Sequence, residues 1–82
     1  MEKKAVYLKD LVNDFEYWLD NYMQSWSDSE IHECTNDCSP VMDDDRELCK
    51  FLDEYPQYNM DILDDNRDEL EAAVLRIAMS NE

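Results

Sequence analysis

Apolar residues recur at helical spacing over residues 6–24. Leu8, Leu11, Val12, Phe15, Leu19, Tyr22 and Trp26 follow an i, i+3, i+4, i+7 pattern. At about 100° per residue they share one arc, with Trp18 and Met23 at its flanks. Asp10, Asn13, Asp14, Glu16, Asp20 and Asn21 take the opposite side. The pattern predicts an amphipathic helix with Tyr17 pointing out among the carboxylates.

Trp26, Ser27, Asp28, Ser29, Glu30 and Ile31 then spell a helix start. Ser27 can accept from the backbone N–H of Glu30 while Glu30 reaches back to that of Ser27, and Trp26 and Ile31 hold the staple positions around this capping box. A second helix of about two turns follows, ending near Thr35, with residues 36–40 as a loop. Ser39-Pro40 suits a further helical turn, because proline is tolerated at the first helical position. Asp43, Asp44 and Asp45 suit the positive end of a helix dipole. Leu48, Phe51, Leu52 and Tyr55 give one face of a third helix, which Pro56 ends near Tyr55. Tyr58, Met60, Ile62 and Leu63 fit either a short helical turn or an extended connector. Asn66 with Glu69 repeats the capping logic and opens a last helix to about Met79, with Leu70, Ala73, Val74 and Ile77 facing inward. The expected architecture is all-α, a compact bundle of three to four helices in one acidic domain covering residues 1–82.

Composition narrows the function. The 82 residues contain no glycine, which removes every phosphate-cradling loop built on it and disfavours glycine-dependent hairpins. The longest apolar run is residues 72–75, far short of the roughly 20 residues that span a bilayer. Lysines near the start have no apolar stretch behind them, so no signal peptide is expected. Three cysteines make an odd number, which favours a reducing, cytoplasmic setting over a secreted disulfide scaffold.

Charge changes the picture most. Lys and Arg number 7 against 22 Asp and Glu, a formal net charge of −15. Such a chain is repelled by phosphate backbones and anionic membranes, so neither is an expected direct partner. Solubility alone asks for a magnitude of about 2 to 8 in a small domain. Acids at i, i+4, such as Asp10/Asp14, Asp61/Asp65 and Asp64/Asp68, cost a few tenths of a kcal/mol per pair. Stability therefore does not favour the arrangement, whereas imitation of a polyanion does. Carboxylates four residues apart on a helix are separated by about 6 Å of axis. Duplex DNA has a phosphate every 3.4 Å or so per strand. One row is too sparse, and two or three adjacent acidic faces approach the density.

In size, charge, helicity and the acidic faces around residues 10–20, 43–47 and 61–69, the chain resembles a class. It is similar to the small acidic inhibitors of bacteriophages and mobile elements, the DNA-mimic antirestriction and anti-CRISPR proteins. The resemblance implies a host enzyme acting on DNA or RNA as the target, the host cytoplasm as the setting, and no catalysis by this chain. Candidate partner-binding residues are Asp10, Asp14, Glu16 and Asp20 on one face. Asp43, Asp44, Asp45 and Glu47 form a second, and Asp61, Asp64, Asp65 and Asp68 a third. Tyr17 and Trp18 are candidate stacking or apolar anchors at the margin, where interface hot spots favour Tyr and Trp. A monomer or small homo-oligomer is expected.

Two other readings fit some of the residues. An adaptor module would bind its partner through an apolar helix face. A structural zinc mini-domain would use His32, Cys34, Cys38 and Cys49, the inventory of a Cys3His site. The spacing fits no ribbon or finger, and on a helix His32 and Cys34 project about 200° apart. No cofactor is expected. An EF-hand-like opening at Asp64, Asn66 and Asp68 lacks the sixth-position glycine and the twelfth-position glutamate. A single histidine without a recognisable nucleophile gives no triad.

Overall fold

The structure is a computed structural model that describes residues 8–43 and 45–82. All regular structure among them is helical: α1 (Leu8–Tyr22), a 3-10 turn (Met23–Ser25), α2 (Asp28–Cys34), α3 (Ser39–Met42), α4 (Asp45–Glu54), α5 (Met60–Asp65) and α6 (Arg67–Asn81). The all-α expectation holds, while the described residues form six helices, two of them 15 residues long, in place of the expected three or four.

The difference arises at two breaks. Backbone angles at Asp43 (φ −95°, ψ 2°) end α3 after four residues, so α3 and α4 are separate. The ambiguous stretch after Pro56 folds as α5 because Asn59 caps it, its side chain accepting from the Ile62 N–H at 3.0 Å. Asn66 reverses the role expected of it. Its side chain makes no cap bond into α6 and instead donates to the carbonyl of Ile62 at 2.8 Å, closing the end of α5. Its own carbonyl accepts from Glu69 and Leu70 and starts α6. One residue therefore joins two helices at an elbow.

Other starts follow their local chemistry. The Ser27–Glu30 capping box forms in both directions, at 3.3 Å into the Glu30 N–H and 2.9 Å back to the Ser27 N–H. Asp37 serves α3, accepting from the Ser39 N–H at 3.0 Å and from the Ser39 hydroxyl at 2.8 Å. Those two bonds hold the Asp37 carboxyl below its ordinary range.

One continuous core runs through the molecule. Helix α6 lies at its centre and packs on α1, α2, α3 and α5. Burial of Leu70, Ala73, Val74 and Ala78 fits that position, since alanine at two contact points lets neighbouring backbones approach closely. Ile77, expected inside, is half-buried. On α1 the buried set is Leu11, Phe15, Trp18 and Leu19, with Met23 just beyond. The arc has turned relative to the sequence reading: Trp18 and Met23 lie inside, and Leu8 is 39% exposed. Two packing surfaces account for the shift. Helix α6 covers one side of α1, and a cluster of rings from α4 and the loop after it covers the other.

Phe51 is the hub of that cluster. Its centroid lies 5.3 Å from Phe15, 5.5 Å from Trp18, 4.9 Å from Tyr55 and 5.8 Å from Tyr58. Such pairs contribute about 0.5–1.5 kcal/mol each beyond the area they bury. The whole body measures 47 × 20 × 19 Å.

Candidate functional site

The acids of α1 do not form one face. Asp14 and Glu16 project about 200° apart around the helix axis, and each flank is tied to a different neighbour. Asp14 is half-buried and accepts the Tyr58 hydroxyl at 2.6 Å. Glu16 receives both the Nε and a terminal nitrogen of Arg76 on α6, at 2.9 and 2.6 Å. Asp20 accepts from Asn81, near the end of α6, at 2.8 Å. Asp10 is exposed and makes no hydrogen bond or ion pair among the described residues.

The second group divides in the same way. Asp43 pairs with Arg67, which also binds Glu71 at 2.7 Å. The hydrogen bonds it donates to Glu71 and Asp43 hold the Arg67 guanidinium more firmly charged, and Arg67 in turn draws the Asp43 carboxyl below its usual range. Glu47 is half-buried, accepts the Tyr22 hydroxyl and lies 3.9 Å from Lys50. Asp45 is exposed in the first turn of α4, where the helix dipole favours it. Asp44 lies outside the described residues.

The third group is different. Asp61, Asp64 and Asp65 on α5 and Asp68 on α6 are all exposed, as is Glu69, and none of the five carries a side-chain hydrogen bond or ion pair among the described residues. Asp61 sits in the first turn of α5, and the other four surround the Asn66 elbow, where a shallow depression is lined by Asp64, Asp65, Asp68 and Glu69 together with Leu8, Asn66 and Arg67.

The two aromatic anchor candidates separate. Trp18 is 4% exposed, stacked on Tyr22 at 5.1 Å and 17° and set edge-on to Phe51. It belongs to the core, and the little of it that is exposed lines the groove beside Tyr17. Tyr17 is 68% exposed and joins none of the ring–ring contacts that link the other described aromatics. It stands in a groove between α1 and the end of α4, lined also by Asn21, Tyr22 and Glu54.

Sequence reasoning did not single out Glu54, Tyr55 or Tyr58 as part of this surroundings. Burial first, then the charges of Asp14 and Glu54, push the Tyr55 phenol up. Burial and the bond to Asp14 push the Tyr58 phenol up further. A dense acidic field therefore covers this edge of the ring cluster. The signal for it lay in the Tyr55 and Tyr58 pair around Pro56, directly after two acids.

The zinc set does not assemble. His32 is exposed and paired with Glu82, Cys34 is buried, Cys38 is half-buried and Cys49 is exposed on α4. Among the described residues no three of the His, Cys, Asp and Glu side chains are grouped to hold a metal ion. The physical reason is the one spacing implied: on α2, His32 and Cys34 leave the helix on different sides. Burial pushes the Cys34 thiol up to about 11, the behaviour of a core thiol.

No helix among the described residues is long and apolar enough to cross a membrane. No protein-family model matches the chain, and neither a curated protein nor a solved structure matches it.

Proposed function

We propose that the chain is a non-enzymatic acidic inhibitor that takes the place of a nucleic acid on the basic surface of a DNA- or RNA-processing protein, as small inhibitors of bacteriophages and mobile elements do. The observation that carries this reading is the elbow. Asp61, Asp64, Asp65, Asp68 and Glu69 lie exposed within nine residues and have no side-chain hydrogen bond or ion pair among the described residues. Five like charges so close together repel one another, and a Lys- or Arg-lined groove relieves that repulsion on binding. Asp10 and Asp45 extend the charge beyond the elbow. A body 47 Å long matches about 14 phosphate steps of one DNA strand. The target would be a host defence or nucleic-acid-processing enzyme in the cytoplasm.

The test is competition. Fluorescently labelled protein is titrated with a panel of bacterial restriction, CRISPR, recombination and nucleoid proteins at low salt, then with duplex DNA. Displacement by DNA and a steep loss of affinity with salt are the expected results. Binding that survives both excess duplex and high salt overturns the reading.

A second reading has an observation of its own. Ala72, Leu75 and Met79 form an i, i+3, i+7 row on α6, with Ala72 exposed, Leu75 half-buried and Met79 63% exposed. An adaptor using that row would bind in salt and ignore DNA.

A further inference from the structure

Tyr17 is the one described aromatic that the ring cluster does not use, and its surroundings repeat a contact found elsewhere in the molecule. One helical turn before Glu54 on α4, the Lys50 ammonium lies 5.1 Å from the centroid of the Tyr22 ring and donates to its hydroxyl at 2.8 Å. Glu47 stands beside that ammonium at 3.9 Å. The set is one tyrosine of α1 and one glutamate of α4 holding one cation between them.

Helices α1 and α4 run in opposite directions here, as shown by Tyr22 meeting Glu47, Trp18 meeting Phe51, and Asp14 meeting Tyr58 beyond the end of α4. Seven residues on from Glu47, about 10 Å along the axis and on the same face, comes Glu54. It lines one groove with Tyr17. The second tyrosine–glutamate set faces solvent, and its ring is open to a cation from outside the chain.

Resting on the polyanion reading, we infer that Tyr17 and Glu54 form a cradle for a single arginine side chain of the basic partner, with the guanidinium stacked on the ring and hydrogen-bonded to the carboxylate. Arginine fits better than lysine for two reasons. Its planar head stacks on an aromatic face, and its fork of donors matches a carboxylate. The carbonyl side of Asn21 adds an acceptor at the groove wall, since its Nδ2 is already spent on the Tyr17 carbonyl at 3.1 Å. Asp14, whose charge already acts on this edge, supplies further attraction. The elbow acids then provide long-range pull, and the cradle provides discrimination between arginine and lysine.

The probes are octa-arginine and octa-lysine peptides, equal in charge, titrated at low salt by calorimetry and by amide NMR on the full chain. Octa-arginine is expected to bind more tightly and to shift the Tyr17, Asn21 and Glu54 amides. Tyr17→Ala should weaken octa-arginine by about 2- to 30-fold, bring it level with octa-lysine and leave octa-lysine unchanged. Tyr17→Phe should retain the preference, and Glu54→Gln should lose part of it. Because Tyr17 is 68% exposed, the variants keep their fold, which an unchanged Tm verifies. Equal affinity for the two peptides, or equal weakening of both by Tyr17→Ala, overturns the cradle. The mimicry reading is judged separately by displacement with duplex DNA, so either idea can fail alone.

Discussion

The seam between α1 and α6 and the elbow between α5 and α6 are both rich in carboxylates, and they use them for opposite ends. Along the seam Glu16 and Asp20 are joined to Arg76 and Asn81, and on the other flank of α1 Asp14 is joined to Tyr58. These acids hold helices together. At the elbow the acids make no such contacts among the described residues and repel one another. A count of negative charges does not separate the two, because both regions draw on the same residue type. What separates them is whether a donor from a distant part of the chain reaches the carboxylate.

The largest effect that tests this contrast is on binding. Reversing Asp61, Asp64, Asp65 and Asp68 to lysine should weaken capture of a basic partner by at least about 100-fold at low salt, roughly 2.7 kcal/mol. The melting temperature of the same variant should stay level or rise, because repulsion is relieved. A variant that binds as before would move the interface elsewhere.

Asp14→Ala reaches into the other region. Tyr58 is 7% exposed, and removing its acceptor leaves a buried hydroxyl unpaired. Urea unfolding should show a loss of about 1–3 kcal/mol. Asp14→Asn keeps an acceptor and should lose less. If Asp14→Ala is as stable as the parent, the acid is not structural and the contrast collapses.

The same pair makes the protein sensitive to alkali. Burial and the bond to Asp14 raise the Tyr58 phenol above its ordinary value of 10.0, so the folded state favours the neutral form. That contribution is fully present below about pH 10, the unfolded value, and is lost as pH rises from there toward the folded value. Denaturation midpoints measured from pH 8 to 11.5 should fall above pH 10, and Tyr58→Phe should flatten the fall.

Glu16→Gln should give the smallest change. Its partner Arg76 has a side chain 56% exposed, and exposed pairs contribute about 0.2–1 kcal/mol before solvent screening is discounted. A shift of one or two degrees in Tm that vanishes in high salt is the expected outcome.

Local signals were readable in the sequence because their partners are neighbours. The Ser27–Glu30 box spans three residues, and the Leu11, Phe15, Leu19 repeat spans turns of one helix. Helix α5 was legible only as one of two options, a helical turn or an extended connector, since Tyr58, Met60, Ile62 and Leu63 lack a clean helical period and its start depends on one asparagine. Trp18 was placed at the edge of an arc whose width depends on how many neighbours pack on α1, which is a tertiary fact. The candidate acids were legible as residues and illegible as roles. Their donors lie 44, 60 and 61 residues away, and no pattern within a helix reports them.

The described backbone contains no residue with positive φ, in a chain that has no glycine. Every turn is made from conformations that any ordinary L-amino acid adopts, and helix starts rest on side chains such as Ser27 and Asn59. Under the proposed reading, in which the surface works through its charge, this has an evolutionary consequence. Single substitutions at exposed positions away from the caps can redraw the electrostatic pattern one residue at a time without forcing a compensating change in the loops. Such a scaffold can change its charge pattern while its fold stands still.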